Sequence, residues 1–212
     1  QAKATAAAAS APVTLGPIMA AAQRDLRLIS PYFVPGAEGV RWLGGMRARG
    51  VEVGVLTNSL AANDVVAVHG GYAGYRKPLL EAGVELFELM PHGQSNSSLF
   101  GSSGASLHTK AFAVDGETGF IGSFNMDPRS VSLNTEMGVV FQDRDVTAEL
   151  LKSYASKTAA ANSYRVVLDQ EALRWQDGSV EPPKVWTHEP ETSWWRRATA
   201  RVIGWLPVES QL

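Results

Sequence analysis

Apolar positions along the chain alternate between two patterns, short continuous runs and stripes at helical spacing. Runs rich in β-branched residues predict strands, and stripes that end at Gly50 and Gly83 predict helices. The predicted elements are a helix over 13–24, a strand over Leu26–Ser30, a helix over Glu38–Arg49, a strand over Val51–Thr57, a helix over His69–Ala82, strands over Val84–Leu89, 107–114 and Glu136–Gln142, and a helix over 146–162 capped by Asp145. This order predicts an α/β fold with a mixed, mostly parallel β-sheet flanked by helices on both faces.

Composition divides the chain into three predicted segments. Residues 1–12 are rich in alanine and read as a linker or the truncated remnant of a preceding segment. Residues 13–165 hold the alternating elements and form the main lobe. Residues 166–212 contain several prolines and are predicted to be a short C-terminal extension that carries an amphipathic Trp/Arg helix.

Length and charge narrow the classes of function. A chain of 212 residues that is 45% hydrophobic can bury one sizeable core. It has no apolar run of about 18 residues or more, so no membrane-spanning segment is expected. The net charge of −2 argues against strong non-specific nucleic-acid binding, and the absence of cysteine excludes disulfides and thiolate metal sites.

Candidate chemistry is concentrated at residues 108–125, which read HTKAFAVDGETGFIGSFN. Strand alternation places His108 and Lys110 on one face. If Gly116 and Glu117 form a two-residue loop, the resulting hairpin sets Lys110 opposite Ser123 and His108 opposite Asn125.

The residue types at this hairpin match phosphodiester chemistry. The neutral imidazole of His108 is a suitable nucleophile or proton carrier, and the Lys110 ammonium can hold phosphoryl oxygens. Ser123 and Asn125 can donate further hydrogen bonds. Two carboxylates are expected to support the site: Asp115 would hold the hairpin or an internal cation, and Glu136 would orient His108 through its other ring nitrogen.

The motif resembles the defining His-Lys-Asp element, with its Gly-Ser-x-Asn extension, of the phospholipase D superfamily. Further stretches resemble the bacterial cardiolipin synthase branch: SPYFVP at 30–35, LTNS at 56–59, HGGY at 69–72 and WLPVE at 205–209. The resemblance covers most of residues 13–145 and returns at 188–209. It indicates a phospholipase D-like catalytic lobe, the C-terminal half of an enzyme whose relatives carry two such motifs in two similar lobes.

The resemblance implies a phosphatidyltransferase of cardiolipin synthase type that works without metal or other cofactor through a phosphohistidine. It implies a phosphatidylglycerol-type phospholipid substrate, and a second His-Lys-Asp lobe from the same parent chain or from a homodimer mate. Family assignments usually give the nucleophile to the first motif, which would make His108 the general acid and base. The expected location is bacterial and peripheral at the cytoplasmic membrane.

Four further residues are candidates for substrate binding. Asn58 lies just past a predicted strand end, where open α/β sheets bind ligands. His69, Tyr72 and Arg76 lie at i, i+3 and i+7 on one predicted helix face, where the resemblance places head-group contacts. The alternative is an ordinary packed helix with a satisfied histidine and a surface arginine.

Other functions stay open at this point. The chain could be a homodimeric phosphodiesterase or nuclease, or a phospholipase D hydrolase, although its charge and flanking sequence weigh against nucleic acid as a partner. It could also be an isolated, non-catalytic lobe that binds lipid phosphate. The C-terminal stripe of Trp194, Ala198, Val202 and Trp205 either contacts a membrane interface or packs on the core.

Overall fold

The structure is a computed structural model that describes residues 11–91, 107–127 and 136–205. The helices in these ranges are α1 (Ala11–Ala20), α2 (Gly36–Ala48), α3 (Val66–Ala73), α4 (Arg76–Glu81), α5 (Arg144–Thr158) and α6 (Trp194–Trp205). The strands are β1 (Asp25–Ile29), β2 (Glu52–Asn58), β3 (Glu85–Leu89), β4 (Lys110–Val114), β5 (Thr118–Gly122), β6 (Gly138–Gln142), β7 (Ser163–Asp169), β8 (Ala172–Asp177) and β9 (Lys184–Trp186).

The described strands form one mixed sheet in the order β6-β5-β4-β1-β2-β3-β7-β8-β9. Only β1–β2 and β2–β3 are parallel, and every other neighbouring pair is antiparallel. The prediction of a mixed sheet is confirmed, but the prediction that it is mostly parallel was wrong. Among neighbouring strands, helical crossovers join only β1 to β2 and β2 to β3, whereas hairpin connections such as β4–β5 and β7–β8 force antiparallel pairing.

Alternating side chains of the strands build a hydrophobic core on each face of the sheet. Leu28 and Val55 point to the face that α1–α4 cover, together with Met46 of α2. Ile29 and Leu56, one residue further along each strand, point to the opposite face, where α5 packs. This two-residue period confirms the predicted helices on both faces.

Two of the predicted helices differ from the structure for reasons that their residues explain. The helix expected over His69–Ala82 is two helices, α3 and α4, because Pro78 has no N–H to donate to the carbonyl of Gly74. Helix α5 is capped by Asp143 rather than Asp145: the Asp143 carboxylate accepts the backbone N–H groups of Asp145 and Val146 at 2.9 and 3.1 Å.

The C-terminal segment contributes strands to the same sheet. The predicted boundary between residues 165 and 166 falls inside β7, which pairs antiparallel with β3 through Leu86 and Val166. Helix α6 then packs on α3, where a Cβ added to Gly70 would lie 2.6 Å from the carbonyl oxygen of Ala200. At the other end, α1 begins at Ala11, inside the predicted N-terminal linker, whose residues 1–10 lie outside the described ranges.

Among the helices that the structure describes, none combines the length and the apolar character needed to cross a bilayer.

Candidate functional site

The motif hairpin turns one residue earlier than predicted. Val114 pairs with Thr118 and Lys110 pairs with Gly122, so Lys110 does not face Ser123 as expected. Asp115 and Gly116 take the two central turn positions, with φ of 54° and 70°, and the Glu117 N–H donates to the Val114 carbonyl at 3.0 Å. Positive φ at both central residues is the geometry that Asp-Gly favours in hairpins, and this dipeptide was the signal that fixes the register.

Asp115 fastens the hairpin to the start of β1. Its carboxylate accepts the backbone N–H groups of Gln23 at 2.9 Å, Arg24 at 2.8 Å and Asp25 at 3.0 Å. Burial alone would raise the pKa of Asp115, but these three donors outweigh it and hold the pKa below its ordinary value. Asp115 is therefore an anchor at the turn, and the site lies at the opposite end of the hairpin.

Lys110 brings a desolvated positive charge to that opposite end. The residue is only 8% exposed, and its Nζ donates to the His108 carbonyl at 2.8 Å. Burial lowers the pKa of Lys110, while the negative charges of Glu136, Asp127 and Asp64 act in the other direction. An ammonium group in a region of low dielectric constant attracts an anion more strongly than one in water.

The backbone beside Lys110 is held by Asn58, which ends β2. Its side-chain Oδ1 accepts the Leu107 N–H at 2.8 Å, and its Nδ2 donates to the Leu107 carbonyl at 3.2 Å. Asn58 is only 1% exposed, and its predicted contact with substrate stays a prediction. It fixes Leu107, and the next residue, His108, is left exposed to solvent.

Ser123 and Glu136 interact with each other at the end of β5. The Ser123 hydroxyl donates to the Glu136 carboxylate and accepts the Met137 N–H at 2.9 Å. Glu136 precedes β6 instead of lying within a strand. Its contact with Ser123 and its charge near Lys110 place it at the site, and its predicted role in orienting His108 stays a prediction.

Asn125 lies on a segment that is pinned to the end of β1. The neighbouring Met126 N–H donates to the Ser30 hydroxyl at 3.0 Å, and the Met126 carbonyl accepts the Val34 N–H at 2.7 Å. Asn125 is 8% exposed, and its buried Oδ1 has no hydrogen-bond partner among the described residues. Leaving a buried acceptor unpaired costs about 1–3 kcal/mol, which a bound donor would recover.

His69, Tyr72 and Arg76 are buried in the structure, and their predicted role in substrate binding stays a prediction. Arg76 pairs with Glu88 and with Glu189, both at 2.7 Å, and His69 Nε2 lies 2.6 Å from the Arg76 guanidinium. Burial, followed by the Arg76 charge, lowers the pKa of His69. The alternative of a surface arginine was wrong, because Arg76 is 2% exposed.

Three residues near Lys110 were not among the predicted site residues, although Tyr32 lies in the SPYFVP stretch: Tyr32, Asp64 and Asp127. The Tyr32 hydroxyl donates to Asp64 at 2.8 Å, and the Tyr32 ring lies 5.9 Å from Lys110 Nζ. Burial, together with the neighbouring Asp64, raises the pKa of Tyr32 to about 12, so it is a neutral donor. Asp127, 6% exposed, lies two residues after Asn125. The sequence could have indicated Tyr32 and Asp64, because both follow the ends of adjacent parallel strands, where ligand sites form.

The fold resembles that of solved phospholipase D-type structures. NucT from Helicobacter pylori matches with a TM-score of 0.56 at 15% identity, covering 76% of this chain and 97% of that one. A phosphatidylserine synthase from Haemophilus influenzae matches with a TM-score of 0.55 at 13% identity, covering 95% of this chain and 43% of that one. At these identities the matches show a shared fold.

Sequence relatives give the family. Cardiolipin synthase C of Escherichia coli (strain K12) is 44% identical over 204 residues, which are 93% of this chain and 43% of the relative. The chain thus spans less than half the length of this curated relative. The family model described as "Cardiolipin synthase, PLD-like domain" matches residues 16–157, which contain the hairpin, the strand ends and every residue placed at the site above. The chain belongs to this family of cardiolipin synthase PLD-like domains.

Proposed function

We propose that this chain is one catalytic lobe of a cardiolipin synthase-type phosphatidyltransferase, and that it supplies half of the active site. The observation that carries the proposal is a desolvated ammonium beside an exposed histidine: Lys110 Nζ donates to the backbone carbonyl of His108. Family membership supports the chemistry, and the geometry supports the choice of residues.

The site is built to grip a phosphodiester. Lys110 provides the positive charge for the non-bridging oxygens, and the amide N–H groups of Asn125 can donate to them, while its buried Oδ1 can accept a hydrogen bond from the hydroxyl of an alcohol. Tyr32, neutral because its pKa is raised, keeps Asp64 hydrogen-bonded beside the ammonium. The Ser123–Glu136 pair closes the side of the site next to β6.

The proposed reaction is a two-step transfer that needs a second imidazole. The histidine of the partner lobe attacks phosphorus and forms an N–P bond, and the P–O bond to the leaving alcohol breaks. His108 gives that alcohol a proton, then takes one from the hydroxyl of the acceptor lipid. The acceptor oxygen attacks phosphorus, and the N–P bond breaks to release the product. Water in place of the acceptor gives hydrolysis.

The second imidazole is proposed to come from another lobe of the same parent chain or from a second copy of this one. The chain covers 43% of the length of cardiolipin synthase C, which leaves room in a protein of that length for a lobe of similar size. A lobe without its mate would hold lipid phosphate and turn it over slowly, because one of the two proton or phosphoryl carriers is missing.

The proposed substrate is a phosphatidylglycerol-type phospholipid, and the proposed location is the cytoplasmic membrane of a bacterium, in peripheral contact. The named relative is bacterial, and a phospholipid substrate is presented at a bilayer surface. Nucleic acid is not a proposed partner.

Replacement of His108 by alanine tests the proposal. The protein that carries both lobes, given phosphatidylglycerol in mixed micelles, should form cardiolipin and glycerol, and His108→Ala should lower the rate by about a thousandfold or more. His188→Ala is the matched control, because His188 is also an exposed histidine but follows β9, far from the motif hairpin in the sequence. It should keep the wild-type rate.

Three results would reject the proposal. Undiminished cardiolipin formation by His108→Ala removes His108 from the chemistry. Cleavage of single-stranded DNA at a rate above that of lipid turnover assigns the site to a nuclease. Phosphatidic acid as the sole lipid product assigns it to a hydrolase.

A further inference from the structure

Helix α6 presents tryptophan side chains to solvent. Trp194 and Trp195 are 58% and 66% exposed, and Val202, two turns further along, is 56% exposed. The two indole rings stack on each other with centroids 3.6 Å apart. We call these three residues the Trp face. It contains part of the stripe that sequence reasoning left open between core packing and a membrane interface, and it points away from the core.

The opposite side of α6 is firmly attached to the body of the protein. Ala200 is buried against α3, and Gly204 approaches Gly70 so closely that a Cβ on Gly204 would lie 2.8 Å from the Gly70 carbonyl oxygen. Arg196 donates to the carbonyls of Leu60, at 3.1 Å, and Asn63. The Trp face is therefore held in a fixed orientation.

These Arg196 hydrogen bonds also place α6 next to the strand ends that carry the candidate site. They are made to the loop that follows β2, and the same loop contains Asp64. Asp64 accepts a hydrogen bond from the Tyr32 hydroxyl, and the Tyr32 ring lies 5.9 Å from Lys110 Nζ. The chain of contacts from α6 to the site runs through one loop.

The charge of α6 complements an anionic surface. The helix carries Arg196, Arg197 and Arg201 and no acidic residue, in a chain whose net charge is −2. Arg196 and Arg197 donate to neutral acceptors, which leave their positive charge in place. The nearby Glu191 carboxylate accepts the Tyr164 hydroxyl at 3.0 Å. Tryptophan beside arginine is the composition of a membrane interface, where indole rings lie at head-group depth and guanidinium groups meet lipid phosphate.

We propose that the Trp face of α6 docks onto an anionic phospholipid surface. Docking would bring the site around Lys110 to the lipid substrate. The proposal rests on the proposed function for the identity of the substrate. Size favours a lipid surface over a protein partner: two indoles offer roughly 300–500 Å², whereas a stable protein interface buries about 1,000 Å² or more. Insertion of a few aromatic rings between head groups needs no larger area.

Vesicle co-sedimentation of this chain tests the proposal. The wild-type chain should bind phosphatidylglycerol-rich vesicles, bind pure phosphatidylcholine vesicles less, and lose binding as salt is raised. The double variant Trp194→Ser/Trp195→Ser should bind at least about tenfold more weakly. Val180→Ser/Val185→Ser is the matched control, because these valines are also exposed, at 46% and 56%, but lie away from α6. It should bind like the wild type.

Three outcomes would overturn the proposal: the wild-type chain fails to bind phosphatidylglycerol vesicles, the tryptophan double variant binds as well as the wild type, or the valine control loses as much binding as the tryptophan variant. Light scattering after size exclusion tests whether a second copy of the chain covers the Trp face instead. If the wild type is a dimer and the tryptophan double variant is a monomer, the face is a dimer interface. The variant His108→Ala should bind vesicles normally, so failure of docking and failure of catalysis are separate results.

Discussion

Removing the Asp115 carboxylate should destabilise the fold. A series of substitutions can separate the cost of the lost hydrogen bonds from the cost of backbone strain. Asp115 accepts three backbone N–H groups at 2.8–3.0 Å and has φ of 54°, a region that costs most residues roughly 1–2 kcal/mol. Asp115→Gly loses the acceptors without backbone strain. At about 1 kcal/mol for each half-exposed bond, we expect a loss of about 3 kcal/mol in the free energy of unfolding.

Two companion variants complete the series. Asp115→Ala should lose about 1 kcal/mol more than Asp115→Gly, because alanine adds the strain of positive φ. Asp115→Asn should lose about 1 kcal/mol only, because its Oδ1 still accepts and asparagine tolerates this conformation. Urea denaturation at neutral pH gives all three values. The control is Gln170→Gly at φ of 46° in the β7–β8 turn, which relieves strain and should not destabilise.

The same carboxylate predicts a pH dependence. Because the folded-state pKa of Asp115 is below its ordinary value, its stabilisation is complete above the unfolded pKa of about 3.9 and is lost as pH falls through the lower folded pKa. The stability gap between wild type and Asp115→Gly should therefore shrink on acidification. A gap below about 0.5 kcal/mol at neutral pH, or one that widens in acid, would refute the role given to this anchor.

Other predictions concern the buried side chains. Arg76→Met should cost about 3–5 kcal/mol, because it removes the cation that pairs with the buried Glu88 carboxylate and the partly buried Glu189 carboxylate; unfolding curves unchanged from wild type would contradict this. Asn58→Ala should cost about 1–3 kcal/mol through the two lost bonds to Leu107. It should also lower the turnover rate more than it raises KM, since the next residue is His108; an effect on stability alone would contradict the positioning role.

The parts of the fold that could be predicted are those set by local pattern. Strands β1, β2 and β3 are short apolar-rich segments that alternate with helices, and the helices between them end at glycines with positive φ, Gly50 and Gly83. Strands β7 and β8 were missed because they follow one another after the last helix of that alternation, with no helix between them to mark their ends. Such strands are recognised only once their partner β3 is known.

The candidate site also has residues that local pattern indicates and residues whose contacts depend on distant parts of the sequence. Motif spacing alone names His108, Lys110, Ser123 and Asn125 as candidates, because those residues belong to one short segment of the sequence. The burial of Arg76 could not be predicted, since its two carboxylate partners are 12 and 113 residues away in sequence. The same holds for Asn58, whose partner Leu107 is 49 residues away. Local pattern carries no information about such contacts.

The most direct measurement of the central claim is binding of a short-chain, soluble phosphatidylglycerol to this chain, followed by phosphorus NMR. The account predicts specific binding, weakened by Lys110→Met by about tenfold or more because the buried ammonium is the main charge for the phosphate. Lys77→Met, which removes an exposed ammonium paired with Glu171, should leave binding unchanged. Equal affinity in Lys110→Met and the wild type would contradict the claim that this hairpin grips a phospholipid phosphate.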